Sequence, residues 1–173
     1  MGASLRSFIF ILLIWTSLGA WAQPEGGEAA AGADKESVFE MGFHLGNLLP
    51  NQIGGVTEIM GLGGARVGIR LNPGSYFEAG FISGNGEGQQ WKDIHADVRM
   101  DIPIENLLAS AFVGADNYYY KGRGTGQKLV FGGHAGGAIQ AHLSGATWFR
   151  TDMRFGFSPG TSLYFGFGFV WRL

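Results

Sequence analysis

The chain has 173 residues, enough for one domain, and joins 31 Gly and 14 Phe to a charged fraction of only 15%. With 46% hydrophobic residues and a formal charge of −2 it is neither a disordered chain nor a basic nucleic-acid binder, and no nucleic acid is expected as a partner. Cysteine is absent, which excludes disulfides, thiol chemistry and a lipoprotein anchor at a cleavage-site cysteine.

Residues 1–22 read as a secretory signal peptide: Arg6 in a short basic region, an apolar run from Phe8 to Trp15, and the small-residue site Ala20-Trp21-Ala22. The run is too short to span a bilayer as a helix, which takes about 20 apolar residues. Residues 23–36, rich in Gly, Ala and Glu, read as a flexible segment ahead of the folded domain at 37–173.

From Ser37 onward apolar and small or polar residues alternate with a period of two, broken by turn-forming clusters. The pattern predicts eight strands and no helix. The first, at 37–46, sets Phe39, Met41, Phe43 and Leu45 against Glu40, Gly42, His44 and Gly46. The second, from about 62 to 71, sets Ala65, Val67, Ile69 and Leu71 against Gly64, Arg66, Gly68 and Arg70. Asn72-Pro73-Gly74-Ser75 is a tight turn, because Pro presets one dihedral and Gly accepts the positive φ that follows. The third strand shows Phe77, Ala79 and Phe81 opposite Glu78, Gly80 and Ile82, and residues 84–91 are expected to form a loop.

The fourth strand has the cleanest polar face, with His95, Asp97, Arg99 and Asp101 opposite Ile94, Ala96, Val98, Met100 and Ile102. In the fifth, at 107–116, Phe112 falls on the otherwise polar side. A polar loop at 117–128 is expected to carry Tyr118, Tyr119 and Tyr120 as an interfacial aromatic belt beside Lys121 and Arg123. The sixth strand runs from about 129 to 140. The seventh, at 147–157, sets Phe149, Thr151, Met153, Phe155 and Phe157 against Arg150, Asp152, Arg154 and Gly156. Ser158-Pro159-Gly160 leads to the last strand, 161–173, where Leu163, Phe165, Phe167, Phe169, Trp171 and Leu173 occupy one face and Tyr164, Gly166, Gly168, Val170 and Arg172 the other.

Strands of about ten residues suit a tilted crossing of a bilayer, and the odd-numbered connections are mostly longer than the even ones. A soluble lipocalin-like barrel would show the same alternation with its faces exchanged. Two features favour the membrane. The polar face is crowded with Gly, which makes room inside a narrow barrel but suits an exposed strand poorly. The four Lys, at 35, 92, 121 and 128, stand at or beyond strand ends, whereas a water-facing sheet would carry Lys along its length.

The lumen then receives Glu40, Glu78, Asp97, Asp101, Asp116 and Asp152 with Arg66, Arg70, Arg99, Arg150, Arg154 and Arg172, six acids and six bases that should pair. Arg70 and Glu78, joined by the turn at 72–75, are expected to meet at its periplasmic end, within a network that takes in Glu40, Arg99, Asp101 and Arg150.

In this pattern residues 37–173 resemble the small eight-stranded bacterial outer-membrane barrels of the OmpA and OmpX type, and the final strand resembles their C-terminal strand, with Leu173 where that family usually has Phe. The resemblance implies an all-β, closed antiparallel up-and-down meander with both termini in the periplasm, a monomer surrounded by outer-membrane lipid and lipopolysaccharide. It also implies recognition by the barrel-assembly machinery through Leu163, Phe165, Phe167, Phe169, Trp171 and Leu173.

Function is less legible, since such barrels include anchors, adhesins and lipid-modifying enzymes. The residues mark no nucleophile joined to a base, and Ser110 and Ser162 carry no signature linking them to His44, His95 or His134. His95 and Asp97 share a strand face and are expected to pair structurally rather than bind a metal. No catalytic, cofactor-binding or metal-binding residue is assigned. The expectation is a structural or surface-interaction protein, with a lipid-modifying enzyme and a narrow pore as the alternatives.

Overall fold

The computed structural model describes residues 37–173, so the signal peptide read at 1–22 and the segment at 23–36 lie outside the described residues. The described chain is a closed antiparallel barrel of eight strands that neighbour one another in sequence order: β1 (Phe39–Asn51), β2 (Met60–Asn72), β3 (Ser75–Gly86), β4 (Gln89–Ile104), β5 (Leu107–Lys121), β6 (Gln127–Ser144), β7 (Thr147–Phe157) and β8 (Thr161–Arg172). It contains no helix among the described residues.

The barrel closes where β1 pairs with β8 over the register Glu40↔Arg172 to Asn51↔Thr161. The closure reaches the end of the chain, with the Leu173 amide donating to the Phe39 carbonyl at 2.8 Å and the Phe39 amide donating back at 3.3 Å. On the outside of this seam Phe169 stands opposite Phe43 on one side and Phe149 on the other, with ring centroids 5.7 and 5.8 Å apart. Inside, the two backbones approach closely. A Cβ added to Gly168 would lie 1.9 Å from the Phe43 carbonyl oxygen, so the position accepts only glycine without backbone movement.

Alternation decides which residues are wet, buried or lipid-facing. The exposed face carries Phe39, Met41, Phe43, Val67, Ile69, Phe77, Phe81, Ile94, Val98, Met153, Phe155, Phe165 and Phe167, while Glu40, Glu78, Asp97, Arg99, Asp101, Asp116, Arg150, Asp152, Arg154 and Arg172 are buried. An apolar surface of this extent around a charged interior is the reverse of a water-soluble barrel. The expectation of charges inward and Phe outward is therefore met.

Several boundaries differ from the sequence reading. Residues 84–91 are not a loop: β3 and β4 pair out to Gly86↔Gln89, leaving a two-residue turn in which Glu87 and Gly88 both have positive φ, 29° and 80°. That is the geometry that matches strand twist in a tight hairpin, and the Gly-rich composition of 84–88 reflects close strand contact and the turn itself. Residues 117–121 likewise belong to β5, paired from Asn117↔Phe131 to Lys121↔Gln127.

The connections at one end are thus 52–59, 87–88, 122–126 and 158–160, and those at the other are the two-residue turns 73–74, 105–106 and 145–146. The asymmetry persists, but it resides chiefly in 52–59 and 122–126. The start of β1 and the end of β8 lie with the short turns, since Glu40 pairs with Arg172 while Asn51 pairs with Thr161.

Candidate functional site in the barrel lumen

The lumen is filled in three layers. At the short-turn end, the first layer is ionic. Arg99, fully buried, donates from Nε to Asp101 Oδ1 at 2.8 Å and from Nη2 to Glu40 Oε2 at 3.0 Å, and its Nη1 reaches Glu40 and Glu78. Its guanidinium carbon stands 4.3 Å from the centre of the Tyr76 ring, a cation–π contact. Arg150 donates from Nη1 to the same Glu78 Oε1 at 2.8 Å, from Nη2 to Oε2 at 3.3 Å and from Nε to Asp152 Oδ1 at 2.8 Å, while Arg66 grips both oxygens of Asp152 at 3.0 and 2.8 Å. Arg172 donates to Asp101 Oδ2 at 3.0 Å and lies over Trp148, 4.6 Å from the ring centre.

Ser110 and Gln140 complete the layer. The Ser110 hydroxyl donates to Asp101 Oδ1 at 2.7 Å, and the Gln140 side-chain amide donates to Ser110 Oγ at 2.7 Å. Each carboxylate therefore meets donors in fixed positions, the condition under which buried charge is tolerable. Beneath them Leu108, Trp148 and Val170 form a small apolar cluster.

Glycines opposite these side chains provide the room. A Cβ on Gly68 would lie 2.7 Å from Glu40 Cγ. This accounts for the Gly-crowded polar face. Phe112, the aromatic misfit of the sequence pattern, does face inward, with the guanidinium of Arg150 5.8 Å from its ring centre and His134 meeting its edge.

The turn places Arg70 opposite Tyr76 and Gly68 opposite Glu78, so Arg70 and Glu78 are diagonal neighbours, with a register irregularity between Arg70 and Asn72. The Glu78 carboxylate is held by Arg99 and Arg150.

The middle layer is acidic and carries histidine. Arg154 bridges Asp93 and Asp116; His134 Nδ1 stands 2.8 Å from Asp116 Oδ1, and the Tyr118 hydroxyl donates to Asp116 Oδ2 at 2.7 Å. His95 pairs with Asp93, Nδ1 to Oδ2 at 3.3 Å, rather than with Asp97 as the sequence suggested, and Asp97 Oδ2 lies 3.6 Å from His134 Nε2. The sequence reading missed Asp93 because it began the fourth strand at Ile94, five residues after its start at Gln89. Extended back to Gln89, the same alternation places Asp93 inward.

The third layer, at the long-loop end, is apolar. Leu48, Met60, Leu62, Ile82, Trp91, Tyr118, Tyr120 and Tyr164 point inward and pack with Ile53 and Val56 from the 52–59 loop. Tyr118 and Tyr120 are thus not an interfacial belt. In a strand that continues to Lys121, alternation turns 118 and 120 into the lumen, 2% and 3% exposed, and leaves Tyr119 outside at 39%. Trp91 stacks on Tyr120 at 5.8 Å and meets Tyr118 at 5.0 Å.

The 52–59 loop is fastened over this plug by the Arg123 amide, which donates to the Gly55 carbonyl at 2.8 Å, and by the exposed Arg123–Glu58 ion pair at 3.0 Å. Cavities of about 10 and 20 Å³ lie at the inner side of the plug and below it, each roughly large enough for one water.

No family model matches the chain, and no curated protein sequence matches it. Solved structures do. Neisserial surface protein A is similar with a TM-score of 0.65 at 10% identity, over 79% of this chain and 98% of that one. The N-terminal β-barrel domain of Pseudomonas aeruginosa OprF is similar with a TM-score of 0.58 at 10% identity, over 79% of this chain and 98% of that one. Ail, the attachment invasion locus protein of Yersinia pestis, gives 0.51 at 9% identity, over 79% and 97%. With its closed eight-strand meander, lipid-type exterior and charged lumen, the chain has the fold of the small eight-stranded outer-membrane β-barrels.

Proposed function

We propose that the protein is an integral outer-membrane barrel with a structural or surface-interaction role, neither a pore nor an enzyme, whose short turns and chain ends face the periplasm and whose 52–59 and 122–126 connections face outward. The observation that carries this reading is the sealed lumen: an apolar plug at one end and an ion-paired layer at the other leave cavities of about 10 and 20 Å³ between them. Eight strands enclose a space that side chains fill, and here they do.

The hydroxyl of Ser110 is committed to Asp101, and Thr151 is an exposed hydroxyl on the lipid-type face. Groups available at the outer end for a partner include Lys121, Lys128 and the cluster of exposed Arg123 and Glu87 with half-buried Glu58. The apolar β8 face, Phe165 and Phe167 above all, supports recognition by the barrel-assembly machinery and contact with lipid.

The experiment is fractionation combined with surface proteolysis and planar-bilayer recording. The protein should fractionate with outer membranes and change its gel mobility on heating. Trypsin added to intact cells should cut near Arg123, and the purified protein should give no steady conductance. Recovery as a soluble periplasmic monomer defeats the membrane reading; steady conductance defeats the sealed-lumen reading.

A further inference from the structure

The middle layer of the lumen is short of positive charge. Asp93, Asp97 and Asp116 are buried there with Arg154 as the guanidinium among them, whereas below them Glu40, Glu78, Asp101 and Asp152 face Arg66, Arg99, Arg150 and Arg172. Three carboxylates face one guanidinium, with His95 and His134 as the other basic groups beside them, in a region walled off by the apolar plug, where an uncompensated charge is expensive. The polar atoms there are also underused. Asp93 Oδ1, His95 Nδ1, Asp97 Oδ1 and His134 Nε2 are buried and make no hydrogen bond.

The geometry points to a binding site for one divalent transition-metal cation, with Asp93, His95 and Asp116 as ligands. One ligand atom from each of these three residues lies within 4.8 Å of the other two. Around an ion with bonds near 2.0–2.1 Å, tetrahedral ligand atoms stand about 3.3 Å apart, so the set closes with small side-chain rotations. One imidazole and two carboxylates suit Zn²⁺ best among common ions, and two carboxylates supply the charge the ion neutralises.

Asp116 is held in place for the task. Tyr118 donates to its Oδ2 at 2.7 Å and His134 Nδ1 lies 2.8 Å from its Oδ1, the kind of outer support that orients metal-binding carboxylates. Arg154 is the ion's competitor. Its Nη2 spans Asp93 and Asp116.

The test uses the untagged full chain, stripped of metal with chelator and refolded into detergent with Co²⁺. Co²⁺ should bind at one equivalent, with the ligand-field absorption of a low-coordinate nitrogen–oxygen site, and be displaced by Zn²⁺. His95→Ala and Asp93→Asn should each weaken binding at least about tenfold, while His142→Ala, an exposed histidine near the short turns, should leave it unchanged. Arg154→Gln removes the competitor and should tighten binding at least about tenfold, with Zn²⁺ restoring the unfolding midpoint that the apo variant loses. Absence of the Co²⁺ bands in the unmutated protein, or the same bands in His95→Ala, overturns the proposal. So does an Arg154→Gln variant whose midpoint Zn²⁺ does not raise.

Discussion

Replacing Arg99 with Met should be among the most damaging single changes in the barrel. Arg99 is fully buried and reaches Glu40, Glu78 and Asp101 at once. Its loss leaves the ion-paired carboxylates Glu40, Glu78, Asp101 and Asp152 with Arg66, Arg150 and Arg172, four against three. Breaking a buried pair from one side costs about 3–5 kcal/mol, because the remaining charge stays buried without its partner. Glu78→Gln unbalances the layer in the opposite sense, leaving Arg150 with Asp152 alone. The two changes together restore equal numbers, so the double variant should cost less than the sum of the singles by about 1–3 kcal/mol.

Denaturant unfolding of the barrel refolded in phospholipid vesicles, followed by tryptophan fluorescence and by the heat-dependent gel shift, measures all four corners of this cycle. If both singles cost under about 1 kcal/mol and simply add, the ionic layer is not closed as described and the reasoning fails.

Gly168→Ala should destabilise the barrel by about 1–3 kcal/mol and slow its closure in refolding assays, because the new methyl meets the Phe43 carbonyl across the β1–β8 seam. Trp91→Ala should cost about 3–5 kcal/mol in the same unfolding assay, since Trp91 is 2% exposed in the apolar plug, yet give no steady conductance because the ionic layer still blocks the lumen. Phe167→Arg, in the middle of β8 and opposite Leu45 and Thr151, should cost about 2–4 kcal/mol in vesicles; a neutral result would mean that this face does not meet lipid. A cycle on Arg70 and Glu78 should show coupling under about 1 kcal/mol, because Arg99 and Arg150 already hold the Glu78 carboxylate.

Strand number, order and facing were legible because each depends on a local rule. A period of two in Leu163, Phe165, Phe167 and Phe169 against Tyr164, Gly166 and Gly168 suffices to say what is outside, and turn residues such as Pro73 and Gly74 punctuate it. The strand ends facing the long loops were less legible for a physical reason. There the inward residues change from Gly and charge to Trp91, Tyr118, Tyr120 and Leu48, so the polar-in, apolar-out contrast vanishes while the strands continue. Composition then imitates a loop: 84–88 is glycine-rich, and 117–121 is polar and aromatic.

The pairing of charges was the part no local rule supplies. Arg99 on β4 meets Glu40 on β1 and Glu78 on β3, and Arg154 on β7 meets Asp93 on β4 and Asp116 on β5. Of these only Glu78 sits on a strand adjacent to its partner's; β7 and β4 stand three strands apart around the barrel. Sequence separation and hairpin register therefore suggested the nearest candidates, Arg70 for Glu78 and Asp97 for His95. Barrel closure instead brings long side chains from opposite walls to one axis. An eight-strand barrel is narrow enough for an Arg to reach across it, so cross-lumen pairs compete on equal terms with hairpin neighbours, and the guanidinium with more acceptors in reach prevails. Asp93, Asp97 and Asp116 gather by a more local route: β4 and β5 pair with His95 opposite Asp116, and a β4 that starts at Gln89 turns Asp93 inward with His95 and Asp97, adding a seventh acid to the six acids and six bases and leaving this layer with Arg154 as the guanidinium that reaches it.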